Sequence, residues 1–533
     1  MNATEALDHL NPKKWAATGP AERLALLEAV RSNLSLHQDE LAATDTGMKN
    51  SRLGENVFDV GGMMAASVVP VGATINAMID VYELLVQGKM PEPAEIKEVG
   101  NDLWDITVRR LNAKERLLFG NQREVLRVKG KPTQVNPYDN PAGIISVAGA
   151  GNYSSSLEMV NALFLENCAV VHKPHELNIA TDRVWEKIFR PLIDHEALAF
   201  VEEDPERLLT SDKRINRIYF TGSTRVAQII MAHTDIPLIS ECGGNNPVII
   251  VPGNHPWTAK EMAHQAEQII SAAKLNGGAV CGRGQTLVTS KRWPQREEFL
   301  DAIRKAITDG TFAAGSYYPG SDNAKARFLQ AYPDAEVLKP EGGKHAASDF
   351  ILIPDVKQVS YATQNEAFCQ ILGEVALDVP ATASEFLPAA AEFANTNLLG
   401  TLGCAILIDE DTKSAHQAAL DQAVTTLNYG GISINEMPPA IWISPYLTWG
   451  GNEKGKTFVS GIGNFGNALN YQHVEKSILT GSFVSPTHLL TTHKKGFAHT
   501  STGVSRFVSD PTWSNLTRLM GNAITDSFRR KDF

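Results

Sequence analysis

Between residues 142 and 251 short apolar runs alternate with helix-length segments, and no other feature limits the fold of this chain so strongly. Apolar runs at 142–147, 169–172, 197–201, 217–220, 237–241 and 247–251 enclose stretches of helical character at 155–167, 179–194 and 224–233. A strand covered on both faces reads as an unbroken apolar run, and parallel neighbours need a crossover of roughly a dozen residues, usually a helix. The pattern predicts βαβ units in a doubly wound parallel sheet, whose ligands collect at the carboxyl ends of the strands. A dinucleotide fingerprint begins at Gly149-Ala150-Gly151-Asn152-Tyr153-Ser154 but lacks its third glycine, so this motif alone does not identify a nucleotide site.

The flanking regions follow simpler patterns. Leu24, Leu26, Leu27, Val30, Leu34 and Leu41 recur at near-helical spacing over 21–43, and Ile75, Met78, Ile79, Tyr82 and Leu85 form a stripe over 74–86. Pro91 and Pro93 interrupt 87–113, which reads as a surface connection. Residues 123–137 alternate weakly and end in a turn-rich stop, the pattern of an extended hairpin. A helix over 257–274, a helix near 295–308 and strands near 285–289, 350–353, 403–408 and 430–435 predict a second α/β domain. The tail after residue 485 has few periodic apolar residues.

Composition narrows the function classes. A formal net charge of −11 argues against a nucleic-acid partner, since phosphate-tracking surfaces are basic. Cys168, Cys242, Cys281, Cys369 and Cys404 form neither C-x-x-C pairs nor metal-ligand spacings with histidine, so no metal is expected. Sparse, unpaired thiols together with an amino terminus lacking an apolar signal core predict a cytoplasmic protein. No run long and apolar enough to span a membrane is visible in the sequence.

Cys281 follows Asn276-Gly277-Gly278-Ala279-Val280, a loop able to turn tightly and present a thiol. A single cysteine is more often a small buried hydrophobe than a nucleophile, so the loop needs support from elsewhere. That support lies in the order of several short motifs. Lys173-Pro174-His175-Glu176, Phe220-Thr221-Gly222-Ser223-Thr224, Glu241-Cys242-Gly243-Gly244-Asn245-Asn246-Pro247, the Cys281 loop and Glu366-Ala367-Phe368 occur in sequence. Gly431-Ile432-Ser433-Ile434-Asn435, Trp449-Gly450-Gly451 and Ser460-Gly461-Ile462-Gly463 complete the series. Together they resemble the aldehyde dehydrogenase superfamily from about residue 20 to about residue 480.

The resemblance implies a cofactor-binding domain over 1–120 and 142–242 and a catalytic domain over 243–455. It implies an oligomerisation arm from 121–141 and 470–485, followed by a carboxyl-terminal extension over 486–533. It assigns Cys281 as nucleophile, Glu241 as general base and Asn152 as oxyanion donor. Lys173 and Glu176 match residues contacting the adenosine ribose, Gly222 and Ser223 residues near the phosphates, and Glu366 and Phe368 residues on the nicotinamide side. The implied cofactor is NAD or NADP, with Glu176 favouring NAD because a carboxylate accepts from a ribose diol and repels a 2′-phosphate. The implied partner is a small-molecule aldehyde substrate, with the chain assembled as a homodimer or homotetramer and bound to neither nucleic acid nor membrane.

Departures from the family pattern cluster near the site. Ala279, Gly282-Arg283-Gly284-Gln285, Cys369-Gln370 and Ala227 replace residues common elsewhere, and Ala150-Gly151 replaces Pro-Trp before Asn152. Loss of that indole predicts a wider substrate funnel and a bulky or elongated, apolar aldehyde. Two other readings stay open: a CoA-acylating reductase, which passes the same thioester to a thiol, and a catalytically silent binding protein on the same fold.

Overall fold

The runs that read as strands divide between two sheets, and the thiol loop lies where they meet. In the computed structural model, residues 1–528 are described apart from 456, 486, 492 and 493, as are all their side chains except those of 494, 495, 527 and 528. The smaller, six-stranded sheet runs Leu198–Phe200, Cys168–Lys173, Gly143–Ala148, Ile215–Thr221, Leu238–Glu241, with Gly461–Ile462 closing the edge antiparallel to Glu241. Strand order reverses between Gly143–Ala148 and Ile215–Thr221, so the loops after these strands open a crevice at their carboxyl ends.

The larger sheet has 11 strands. Its parallel centre is Val474–Thr480, Gly431–Ile434, Gly403–Leu407, Asn246–Ile250, Gly284–Ser290, Ile371–Leu377 and Phe350–Ile353, with Glu336–Leu338 at one edge. Asn246–Ile250 and Gly403–Leu407 are buried at every position, as helices on both faces require. The run at 247–251 thus leaves the series it adjoins in sequence and joins the second sheet. Ile371–Leu377, which the spacing does not announce, is a central strand.

Three expectations change at the other edge. Residues 87–113 are not only a connection: Glu95–Gly100 and Leu103–Thr107 form an antiparallel hairpin. Its two-residue loop has Asn101 at φ 55° and Asp102 at φ 60°, the conformation that matches strand twist in tight hairpins. Residues 123–137 do not fold back on themselves; Arg123–Lys129 pairs with Leu103–Thr107 on one side and Val474–Thr480 on the other. Val474–Thr480 then pairs in parallel with Gly431–Ile434, so strands within the segments read as an oligomerisation arm extend this chain's own larger sheet.

The tail forms two helices, Lys494–Ser509 and Trp513–Phe528. The first packs over Val60–Ser67 and Val69–Val86, where Gly72 leaves room for Val508 and Gly61 for Thr502, and the second packs on the first. Asn76 Nδ2 donates to Val508 O at 2.8 Å, and Gln38 Nε2 to Ser509 Oγ at 2.8 Å. Val69–Val86 is long and apolar enough to cross a membrane, with a mean hydropathy of 1.4, yet 72% of it is buried inside the fold.

Candidate active site

Three consecutive left-handed residues shape the thiol loop: Asn276 at φ 50°, Gly277 at 68° and Gly278 at 82°. Glycine enters this region freely and asparagine at low cost. A Cβ on Gly277 would overlap the Gly315 carbonyl, and one on Gly278 would stand 2.6 Å from the Cys369 carbonyl carbon. Both glycines are therefore required by close backbone approach as well as by φ. Asn276 Nδ2 donates to the carbonyls of Asn152 at 2.8 Å and Ala279 at 3.1 Å. Downstream, Asn246 Nδ2 donates to Cys281 O at 2.6 Å and Arg283 O at 2.8 Å. One asparagine at each end holds the loop, so half-buried Cys281 is fixed between the two sheets.

Glu241 ends the strand Leu238–Glu241, is 3% exposed, and faces the Cys281 thiol and the Trp449 indole. Burial pushes its carboxyl up to about 8; the charges of Glu158 and Glu366 add to this while the thiol and indole oppose it. Burial also pushes the Cys281 thiol well up, with the Glu241 charge next in size. Two buried acids face to face disfavour a double negative charge, so the pair exchanges one proton rather than losing two. Gly282 fits because a Cβ there would meet the Trp449 ring at 2.7 Å.

Asn152 is buried at the mouth of the crevice, and its Nδ2 donates to Ala279 O at 3.1 Å. The widening expected from Gly151 is not found on this side. A Cβ at Gly151 would stand 2.7 Å from Tyr318 Oη and 2.8 Å from the His175 ring, so these side chains occupy the space an indole would need. Beside Asn152, Pro70, Val71, Leu157 and Trp442 line a cavity of about 20 Å³ together with Asp45 and Lys49. Lys49 Nζ and Ser67 Oγ both donate to Asp45 Oδ2, at 2.7 and 2.8 Å, so the polar groups there satisfy one another.

The remaining candidates line the crevice. Half-exposed Lys173 ends Cys168–Lys173, and exposed Glu176 opens the short turn that follows. Gly222 N–H donates to Glu241 O at 3.1 Å, and Ser223 caps the exposed amino end of Thr224–His233. Helix amides and a lysine suit phosphates, and an exposed carboxylate suits a ribose diol, so this donor set fits a dinucleotide. The Glu366 carboxyl fills the space over Gly243 and accepts from Gly244 N–H. Burial lifts it to about 7, with Arg283 pulling it back down. Phe368, at φ 49°, packs edge-on against Tyr318 with ring centres 4.9 Å apart.

Cys281, Glu241, Asn152 and Glu366 thus converge, Phe368 stands behind Tyr318, and Lys173, Glu176, Gly222 and Ser223 follow the strand ends of the smaller sheet. Tyr318 is an addition that spacing gives no means of finding, and His175, quoted in the sequence only within the Lys173–Glu176 motif, joins it over Gly151. Arg283, notable in the sequence only as a departure, is buried and donates to Ile371 O at 2.8 Å. Among the described residues, no group of three or more His, Cys, Asp or Glu side chains is placed to hold a metal ion.

Residues 112–316 match the sequence profile of the Aldehyde dehydrogenase family. An aldehyde dehydrogenase from Craterostigma plantagineum is 24% identical over 386 residues, which cover 66% of this chain and 72% of that protein. Aldehyde dehydrogenase family 3 member I1 of Arabidopsis thaliana is 28% identical over 183 residues, 33% of this chain and 32% of its own length. Among solved structures, aldehyde dehydrogenase 21 of Physcomitrella patens, in complex with the reaction product succinate, superposes with a TM-score of 0.61 at 18% identity. That match covers 89% of each chain and shows a shared fold.

Proposed function

We propose that the chain is a member of the aldehyde dehydrogenase superfamily, whose profile residues 112–316 match, and that it oxidises an aldehyde to a carboxylic acid with NAD or NADP through a thioester on Cys281. One observation carries the reading: the Glu241 carboxyl faces the Cys281 thiol at the crevice, beside Asn152. Glu241 takes the thiol proton as sulfur adds to the carbonyl carbon, giving a thiohemiacetal. The oxyanion formed meets the Asn152 side-chain amide and the Cys281 backbone N–H. Lys173, Glu176, Gly222, Ser223 and Glu366 would hold a nicotinamide coenzyme, which would supply the acceptor for the hydride. Glu241 releases the thiol's proton to solvent; as carboxylate it then takes a proton from water as the water oxygen bonds to the acyl carbon, and gives that proton to the sulfur as the C–S bond breaks, returning the thiol and releasing the acid.

Glu176 supports NAD over NADP, while Lys173 and His175 beside it leave the phosphorylated coenzyme a foothold. The apolar walls at Pro70, Val71, Leu157 and Trp442 support an elongated, largely apolar aldehyde, and the small volume beside Asn152 requires the helices around it to yield. We place the protein in the cytoplasm as a homodimer or homotetramer; light scattering should return two or four times 58.0 kDa. The test of activity is coenzyme reduction across acetaldehyde, medium-chain and aromatic aldehydes, with the native protein and Cys281→Ala. Activity lost in the variant supports the reading; equal inactivity of both overturns it. CoA-dependent turnover without free acid would move the reaction to acyl transfer, and a clear preference for acetaldehyde would remove the apolar substrate.

A further inference from the structure

Two adjacent tyrosines, Tyr317 and Tyr318, stand behind the turn that carries Asn152. Tyr318 Oη occupies the space over Gly151. Tyr317, its ring edge-on to that of Tyr318 with centres 6.3 Å apart, turns its hydroxyl to the thiol loop. Tyr317 Oη lies 3.2 Å from Asn276 Oδ1 and 3.4 Å from Asn152 O, and both oxygens can only accept, so the single hydroxyl hydrogen is shared between them. The residue is buried, and burial pushes its hydroxyl well up, with the Asp45 charge next, so it stays a donor through the neutral range.

These bonds close a circuit around Asn152. Asn276 Nδ2 directs both its hydrogens to carbonyls, Asn152 O at 2.8 Å and Ala279 O at 3.1 Å, which fixes the orientation of the amide and leaves Oδ1 to accept from Tyr317. The Ala279 carbonyl also accepts from Asn152 Nδ2 at 3.1 Å. Asn152 is thus held at its backbone carbonyl and at its side-chain amide. The second Nδ2 hydrogen has no acceptor among the described residues and is the one free to meet an oxyanion. Tyr317 itself is anchored independently of its hydroxyl. Arg52 Nε donates to Tyr317 O at 3.2 Å, the ring meets Phe58 edge-on with centres 6.0 Å apart, and Lys49 Nζ stands 5.4 Å from the ring centre. Buried Gln370 ties down the preceding residues, its backbone N–H donating to Ser316 Oγ at 3.3 Å and its Nε2 to Ala314 O at 3.1 Å. These anchors keep the ring in place when the hydroxyl alone is removed.

We propose that Tyr317 is a positioning residue for the oxyanion donor: its hydroxyl, bonded to Asn152 O and through Asn276 to Ala279 O, holds Asn152 so that the free Nδ2 hydrogen is presented to an oxyanion on the carbon bound to Cys281. The proposal rests on the reading of Cys281 and Asn152 given above. An oxyanion donor has its full effect only when it is aimed before the reaction, because turning it during the reaction costs free energy. Without the hydroxyl, Asn276 Oδ1 and the Asn152 carbonyl lose a buried donor, and the circuit that fixes the two amides is weakened. The same strut accounts for two departures from the family pattern together. Gly151 leaves the space that Tyr318 fills, and Gln370 fixes the segment that carries both tyrosines.

The test compares two reactions of Cys281 that need neither aldehyde nor coenzyme. In acylation by 4-nitrophenyl acetate, Glu241 takes the thiol proton, sulfur bonds to the carbonyl carbon, an oxyanion forms, and 4-nitrophenolate leaves with the electron pair of the C–O bond. In alkylation by iodoacetamide, sulfur displaces iodide at a saturated carbon and no oxyanion forms. Cys281→Ala is the blank for both. Tyr317→Phe should slow acylation by about five- to tenfold, the scale of one buried hydrogen bond, while alkylation stays within about twofold of native. In the Asn152→Ala background, where no side-chain amide is left to aim, Tyr317→Phe should slow acylation no further. Parallel loss of acylation and alkylation would mean a displaced loop and overturns the proposal, as do a native acylation rate in Tyr317→Phe and an undiminished effect of Tyr317→Phe in Asn152→Ala. If Tyr317→Phe does not fold, Asn276→Gly takes its place: glycine keeps the φ of 50° and removes the amide through which the hydroxyl acts, so acylation should fall by a larger factor than alkylation. Native protein that is not acylated at Cys281 also overturns the proposal, since no oxyanion is then stabilised at this site. Native protein that is acylated yet oxidises no aldehyde removes the oxidation reading, and the comparison of the two reactions still decides the role of Tyr317.

Discussion

At the scale of single residues the site is a problem of where protons reside. Glu241 titrates near 8 in the fold but near 4.5 when exposed to solvent. Between those values the unfolded chain has released the proton and the folded chain has kept it, so the unfolded state binds fewer protons and stability falls as pH rises. Glu241→Gln removes that titration. Its melting temperature should exceed that of native protein by a margin that grows from pH 5 to pH 8 and then levels; a margin independent of pH would show that Glu241 is not buried as an acid. The base form is the deprotonated one, so native kcat/KM should climb with pH towards a plateau above about 8. Asn152→Ala removes one oxyanion donor and should lower kcat by roughly 10² to 10³. The same substitution also removes the bond to Ala279 O, so alkylation of Cys281 at a fixed pH serves as the control for loop position.

Elements explain why these residues meet, and why only part of the meeting is readable from sequence. Apolar runs and turn residues place Gly143–Ala148, Ile215–Thr221 and Leu238–Glu241, and with them Asn152, Gly222 and Glu241 at strand ends, because strand burial leaves its mark on every residue. Long-range contacts leave no such mark. Tyr318 reaches Gly151 across 167 positions of chain by filling a space, and nothing in the spacing of either residue encodes that. The hairpin at 95–107 is not legible in the alternation of apolar residues because its first strand is exposed along its whole length. Its Gly100-Asn101-Asp102 turn is the one local mark of the hairpin, since these residue types enter positive φ at low cost. The thiol loop is the element most dependent on backbone geometry. Gly277→Ala would force an L-residue to φ 68° and drive its Cβ into the Gly315 carbonyl. It should cost at least about 1 kcal/mol in denaturant unfolding and lower the burst rate, since Cys281 is carried on the same turn. Unchanged unfolding would mean that the loop accepts a side chain there.

For the whole molecule, the two sheets set the crevice, and the carboxyl-terminal helices bear on it from behind. Lys494–Ser509 packs on Val60–Ser67 and Val69–Val86, and the junction of these two helices supplies Ala66, Ser67, Pro70 and Val71 to the wall beside Asn152. Phe497 stacks on Phe312 with ring centres 4.3 Å apart, and buried Phe507, Val508, Leu516 and Leu519 complete the covering layer. Removing that layer exposes apolar surface and frees the wall helices without touching Cys281. A chain ending at Thr491 keeps His488, whose ring pairs with Glu436 at 2.7 Å, and so isolates the contribution of the helices. It should melt at lower temperature, bind an apolar dye, and show KM for a medium-chain aldehyde raised on the order of tenfold with a smaller change in kcat. That split follows from where the helices act, on the substrate wall and not on the thiol, its base or the oxyanion donor. Equal losses in KM and kcat would mean instead that the helices hold the two sheets together, and an unaltered KM with a lowered melting temperature would confine their role to stability.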